Sequence, residues 1–504
     1  MTLDSDATAV ASLALGALAL PLADVLLARK RSLLGAQLTR ERRGSYLAFA
    51  TGLTIAIALL FTLASDGTGL PLDPNQPLAT FDGLSRFLGA VTLGTALLTV
   101  LSTNRYLAGA GTRHGEYYAL LLASLLGLVL LPACTHMVSL YLALELASVP
   151  GYALAGIRRD SPRGSEAALK AFLAGSVSSA VLLYGAALLY GATGELALLE
   201  IGLALDPGEP LALLGGGLVL IGLAGKLAIV PFHQWSPDTF EGAPVGVVAF
   251  LATAWKIAVL GALVRVLTLA LAPAEEAFQA VLWALAALSM TLGNLAALVQ
   301  RNTKRMFAYA GLAHLGYVVL GLRVGGAEGT AAVLFFLLAY APAALGTFAA
   351  ISALARDGRE SDRLEDLAGL FRRQPLLALA LAVCVFSLIG VPGTAGFVAK
   401  FQLFSVSLSQ GVAAGDTGLV LLTALALANV ALSAVFYLRV PVALFMREDS
   451  GTGPGGTPGS LDRAVLAGCA WAVLILGIAP QDAGVIVPGG DLLRLAQGAA
   501  GALY

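Results

Sequence analysis

The stretch Gly225-Lys226-Leu227-Ala228-Ile229-Val230-Pro231-Phe232-His233-Gln234-Trp235-Ser236-Pro237-Asp238-Thr239-Phe240-Glu241-Gly242-Ala243-Pro244 decides how the chain reads. Its lysine lies inside an apolar run, 211–230. Pro231 breaks that run, and the chain turns back into a second apolar run that carries Lys256. A run near 20 residues is long enough to cross a bilayer core, and an ionisable side chain at that depth is costly to keep. Two adjacent spans that each hold a lysine suggest stations on a proton path.

The rest of the chain has a membrane protein's composition. Of 504 residues, 58% are hydrophobic and only 12% charged, against about 25% charged in soluble domains. Mean hydropathy is +0.85. Apolar runs predict an all-α polytopic membrane protein of about 14 transmembrane helices, with approximate limits 8–28, 45–65, 83–102, 116–133, 135–157, 166–190, 211–232, 244–269, 277–299, 304–324, 329–354, 376–408, 417–438 and 464–482.

Charge tests that count. With the N-terminus outside, the inside loops collect most of the 30 basic residues, including Arg158, Arg159, Arg163, Arg301, Lys304, Arg305, Arg372 and Arg373. Outside loops carry acids such as Asp66, Asp73, Glu195, Asp206 and Glu275. This is the positive-inside asymmetry. It puts both termini on the external side of the membrane. The N-terminus, with Asp4 and Asp6 and no basic region, reads as a first span and not as a cleaved signal.

A net charge of −1 implies no nucleic-acid partner. Cys134, Cys384 and Cys469 match neither CxxC nor zinc spacing, so iron–sulfur ligation is not expected. Gly451-Thr452-Gly453-Pro454-Gly455-Gly456 reads as a flexible loop.

There are only six lysines; Lys170, Lys226, Lys256 and Lys400 fall within spans, while nearly every loop cation is arginine. A buried lysine can exchange its proton and arginine stays charged, so a proton carrier needs lysine where a static ion pair would accept either. Glu145, midway along span five, is the natural partner of Lys226. Lys256 lies too deep in span eight to snorkel to either face. Lys400 follows Gly390-Val391-Pro392-Gly393-Thr394-Ala395-Gly396, where Pro392 should free a carbonyl near Leu388. Pro231 should free one near Leu227. Exposed backbone at membrane depth survives only inside protein or beside water, so broken helices beside lysines suggest hydration. His314, in mid-span ten, suits a proton relay, although packing explains such a histidine equally well. Lys170 could sit between Glu145 and Lys226 or snorkel from the inner end of span six. His233 reads as an interfacial loop residue, and His114 and His136 carry no case.

Glu145 precedes Lys226 by 81 residues and His314 precedes Lys400 by 86. Each pair occupies the second and fourth spans of a five-span block. This divides the chain into N-terminal spans 1–115, a first repeat 116–270, a second repeat 276–440, and a final stretch 441–504 with a loop, span fourteen and a short tail. Blocks of odd span number are inverted relative to one another, as in many secondary transporters. One feature resists strict inversion: Pro231 and Pro392 both lie to the inner side of their lysines.

The run Gly225 to Pro244 resembles the seventh-helix signature of the antiporter-like subunits of respiratory complex I. So do Gly293-Asn294-Leu295-Ala296-Ala297-Leu298, Lys304 to Tyr309 with Ala313 to Tyr317, and Phe386 to Phe401. The resemblance spans about spans three to thirteen in consistent order. Among the paralogous types, L adds a long lateral helix after its core, and M typically has glutamate where Lys400 stands. Lysine at both 256 and 400 is the N-type pattern.

The resemblance implies that Glu145, Lys226, Lys256 and Lys400 belong to a hydrated polar axis along the membrane plane, driven by quinone reduction elsewhere in the complex. It implies no redox centre in this chain. NADH, flavin, iron–sulfur clusters and quinone are expected on other subunits, with the M subunit, the small K subunit and the lipid bilayer as neighbours. Alternatives are the M type, a subunit of a multi-subunit cation/proton antiporter, a membrane-bound hydrogenase subunit, or a scaffold whose ion pairs only set helix register.

Overall fold

The computed structural model describes residues 5–29, 40–64, 78–109, 114–356, 358–448, 456–478, 492–501 and 503. Lys30, Arg31, Asp4, Asp66, Asp73, Arg113 and residues 451–455 of the glycine-rich loop lie outside the described residues.

The fold is all-helical. Its first helices are α1 (Ser5–Arg29), α2 (Arg40–Ala64), α3 (Gly83–Gly109), α4 (His114–Leu130), α5 (Met137–Ala155) and α6 (Pro162–Thr193). Then come α7 (Leu198–Ala204), α8 (Pro210–Leu227), α9 (Trp235–Gly242), α10 (Val245–Phe250) and α11 (Lys256–Arg265). The second half holds α12 (Glu275–Leu298), α13 (Thr303–Val324), α14 (Gly326–Leu354), α15 (Leu370–Arg373), α16 (Pro375–Ile389), α17 (Ala395–Ala414) and α18 (Thr417–Tyr437), followed by α19 (Arg439–Met446), α20 (Ser460–Ile478) and α21 (Leu492–Gly501).

Thirteen helical segments among the described residues are long and apolar enough to cross a membrane. The expected twelfth span, 376–408, is two half-helices, α16 and α17. The expected short tail after span fourteen contains a further helix, α21, which packs on α3 and α14.

Local chemistry places the ends. Ser161, Asn302 and Asp416 each accept a backbone N–H at a helix start, and Pro162, Pro210 and Pro375 occupy first helical turns, where a missing N–H costs nothing. Small residues let helices close up: a methyl at Gly222 would stand 2.5 Å from Leu182 Cβ in α6, and one at Gly316 would stand 2.6 Å from the Met290 nitrogen in α12.

The segment 245–270 forms the centre of the bundle and is buried except at Leu267, Thr268 and Leu269, with α13 and α14 buried nearly as completely around it. It is not a uniform α-helix. π-helical turns at Leu251–Trp255 and Val266–Ala270 flank α11, a geometry often found at functional positions.

Two helices break inside the bundle. α8 stops at Leu227, capped by Ala228 in the left-handed conformation at φ 60°. The Ile229 N–H then reaches back to the Ala224 carbonyl at 2.8 Å. In the second break, Gly390 and Gly393 take φ values of 94° and 86°, which other residues rarely adopt.

Candidate proton-transfer site

Lys226 lies in the last turn of α8, and its side chain is 1% exposed. Its ammonium donates three hydrogen bonds of 3.1 Å, to Glu145 Oε1, Ser148 Oγ and Tyr152 Oη. These acceptors lie at i, i+3 and i+7 on α5, so one helix face satisfies all three donors. The Ser179 hydroxyl donates to the same Glu145 oxygen. Room for Tyr152 comes from Gly175, where a methyl would stand 1.7 Å from the phenol oxygen. Glu145 itself is 28% exposed, so the pair sits at the flank of the bundle.

Two indoles bond to carbonyls at the break after Lys226. Trp235 Nε1 donates to the Gly225 carbonyl, which also accepts the Ala228 N–H, and Trp255 Nε1 donates to the Lys226 carbonyl, each indole bond at 3.1 Å. The carbonyl taken up by a side chain alone is therefore that of Lys226, one residue before the Leu227 position expected from Pro231. Trp255 immediately precedes Lys256.

Lys256 is 5% exposed and has no carboxylate within ion-pair distance among the described residues. Its ammonium lies 5.8 Å from the Phe240 ring centre and rests against α13 at Gly311, where a methyl would stand 2.6 Å from Nζ and 3.6 Å from Tyr340 Oη. His314 follows Gly311 by one turn on the same face of α13. Its Nε2 meets Tyr437 Oη at 3.1 Å, while Nδ1 is buried without a hydrogen bond. The ring lies 5.2 Å from that of Tyr340.

Beyond His314 is a small cavity of about 10 Å³, lined also by Ser387 and Lys400. That is about the space one water needs. Lys400, 4% exposed, folds back over Gly390 and donates to the carbonyls of Leu388 at 2.7 Å and Ile389 at 2.8 Å. The acceptor expected from Pro392 is therefore present, and Lys400 itself occupies it. Gly396 allows the approach, since a methyl there would stand 1.8 Å from the Ser387 carbonyl oxygen.

Lys170 is placed elsewhere. Its side chain is 41% exposed and pairs with Glu166 and Asp238, each at 2.6 Å. The structure does not bring it between Glu145 and Lys226, which touch directly; Ser179, further along the same helix, bonds Glu145 instead. A lysine about two and a half turns nearer the helix end reaches the interface more cheaply than it reaches a buried pair. His233 lies in the break after Pro231, with its ring 6.3 Å from that of Tyr309.

Asp238 also binds Arg305, which pairs in addition with Glu241 at 3.1 Å. Burial opposes ionisation of Asp238, but the hydrogen bonds from Lys170 and Arg305 outweigh it and hold the carboxyl below its usual range. Nearby, Lys304 pairs with Glu360 at 2.5 Å, and Glu360 also accepts the Val245 N–H at the start of α10. These groups border a charged vestibule of about 830 Å³ that includes Arg158, Arg163, Glu241 and Glu360.

The sequence reading missed Ser148, Tyr152, Ser179, Gly311, Tyr340 and Tyr437. The first two were within reach, because they share the helical face of Glu145. Among the described residues no group of three His, Cys, Asp or Glu side chains converges as a metal site.

A bundle with two interrupted helices, each with a buried lysine at its break and a third lysine between them, defines an antiporter-like membrane protein. The family model described as NADH:quinone oxidoreductase/Mrp antiporter, transmembrane, matches residues 134–426. NADH-quinone oxidoreductase subunit N 1 of Chloroherpeton thalassium is 39% identical over 82% of this chain and 87% of its own. Subunit N of Thiobacillus denitrificans is 38% identical over 86% and 89%. A chain of respiratory complex I from Thermus thermophilus, solved with bound aureothin, superposes with a TM-score of 0.76 at 36% identity, covering 95% of this chain and 98% of that one. The chain belongs to the family of NADH-quinone oxidoreductase subunit N.

Proposed function

We propose that this chain is the proton-translocating N subunit of a respiratory complex I, and that Glu145, Lys226, Lys256, His314 and Lys400 carry its protons. The observation that carries the reading is an asymmetry among buried lysines. Lys226 has a carboxylate partner, while Lys256 and Lys400 have none among the described residues. A buried ammonium facing only neutral dipoles is costly to hold, so each of the two has reason to give up its proton. A proton on Lys226 is held by Glu145. If that carboxylate moves away, the coupling falls and the proton is released toward Lys256.

The proposed route runs from the inner side, past the charged vestibule, to Lys226. It continues to Lys256, crosses Tyr340 and His314 with one water near Lys400, and leaves toward the outside. Lys170 serves this route at most as an interfacial charge beside Asp238. The two halves act as inverted five-helix units, 116–270 and 276–440. Each contains one interrupted helix, although Lys226 precedes its break and Lys400 follows its own, so the lysines are not symmetry mates.

The inner side is the face of Arg158, Arg159, Arg163, Arg301, Arg305, Arg372 and Arg373, which places both termini on the external side of a bacterial plasma membrane. Redox chemistry belongs to other subunits, which hold the flavin, iron–sulfur clusters and quinone. The M and K subunits are the proposed neighbours. Lysine at 400 favours the N type over M.

The test is Lys226→Ala in the assembled complex, with proton pumping followed in inverted vesicles during NADH oxidation. Pumping should collapse. Unchanged pumping with intact assembly would remove Lys226 from the route.

A further inference from the structure

Away from the lysines, a groove of about 660 Å³ is lined by α2, α3, α14, α20 and α21. Its walls are almost wholly apolar, with Phe87, Leu98, Leu338 and Leu476 among them. One cation, Arg86, stands in the first turn of α3, near one end. Its Nη2 makes a single 3.4 Å hydrogen bond to the Leu63 carbonyl, and its Nε is buried without a partner. Asp82, one turn earlier in the chain, is already held through both oxygens by Arg265 at 2.8 Å. Among the described residues Arg86 pairs with no acid.

The dimensions match one lipid chain. From Arg86 to Leu98 is twelve residues, or about 18 Å of helix rise. One leaflet of the hydrocarbon core is about 15 Å deep. An apolar slot one leaflet deep, with a guanidinium at its end that pairs with no acid among the described residues, fits an acyl chain below and an anionic headgroup above.

We propose that this groove binds one anionic phospholipid, with its phosphate on Arg86 and an acyl chain along α3. In the orientation given above, the lipid comes from the external leaflet. Two glycines in the wall make the site testable. A methyl at Gly94 or Gly498 would meet nothing within 4 Å, so a larger side chain there starts into open space in the slot.

The experiment uses the whole complex in nanodiscs doped with phosphatidylglycerol bearing a photoactivatable acyl chain. Crosslinked peptides are mapped by mass spectrometry. Labels should fall on α3, α14 and α20, and unlabelled phosphatidylglycerol should compete about tenfold better than phosphatidylcholine, whose phosphate is the same but whose choline cation offsets the charge that Arg86 meets. Arg86→Gln should abolish that preference, and Gly94→Leu or Gly498→Leu should abolish the labelling. Equal competition by phosphatidylcholine in the wild-type complex overturns the proposal without any variant. So does labelling that survives both glycine substitutions, or a quinone or neighbouring-subunit helix found in the groove.

Discussion

The ammonium of Lys256 rests directly on the backbone of α13 at Gly311, so that a methyl there would stand 2.6 Å from Nζ. The central lysine is thereby held one helical turn from His314, with Tyr340 beside both. Gly311→Ala should push Nζ aside by about 1 Å, a displacement that costs on the order of 100-fold where a reacting group must be positioned. Proton pumping in vesicles should fall at least about tenfold, while the complex still assembles on a native gel. Full pumping by this variant would mean that the Lys256 position is not critical.

Lys256 and Lys400 should respond differently to loss of charge. Lys400→Met leaves the Leu388 and Ile389 carbonyls buried without their donor, at about 1–3 kcal/mol each. Lys256→Met strands no such acceptor. Both variants should stop pumping, and only Lys400→Met should also lower the thermal midpoint of the purified complex. A scaffold role for Lys256 requires the reverse, with activity kept and assembly impaired.

Trp255 ties the central segment to the first break through its bond to the Lys226 carbonyl. Trp255→Phe keeps an aromatic ring at this position and removes that bond, worth about 1 kcal/mol. Hydrogen exchange over residues 226–234 should quicken about fivefold. Exchange at α13 should be unchanged.

The Asp238 bridge to Lys170 and Arg305 sets a pH expectation. A carboxyl held below its usual range in the fold contributes stability that is present above the unfolded value of about 3.9 and lost as pH falls through the lower, folded value. The bridge should therefore hold constant from pH 8 to about pH 5. Asp238→Asn should loosen α9 across that whole interval, read as faster tryptic cleavage at Arg305. A wild-type bridge that weakens between pH 7 and 6 would contradict this assignment.

Much of the site was legible before folding. Glu145 and Lys226 were pairable because each was a charge stranded in an apolar run, and opposite charges at one depth relieve each other. Pro392 pointed to a free carbonyl at Leu388, which is where Lys400 donates. Lys170 was misleading because depth along a helix does not reveal rotation: its side chain turns to Asp238, and Ser179 faces the pair. The acceptors Ser148 and Tyr152 on α5 were missed although helical spacing puts them on the face of Glu145, and Tyr340 and Tyr437 had no such signal, since neither stands near a lysine in sequence.

By itself, then, the amino-acid order determined that this is a bundle of membrane-length helices, where two of them break, and which charges are confined within it. Those properties depend on stretches of about 20 residues measured against the thickness of a bilayer. Only the tertiary structure decided which atom each lysine touches: a carboxylate for Lys226, a glycine backbone for Lys256 and two carbonyls for Lys400. The helices that supply the partners of Lys226 and Lys256 lie some 55 to 81 residues away in the chain, and their rotation is set by close packing at small residues, a property of facing surfaces that no single segment carries.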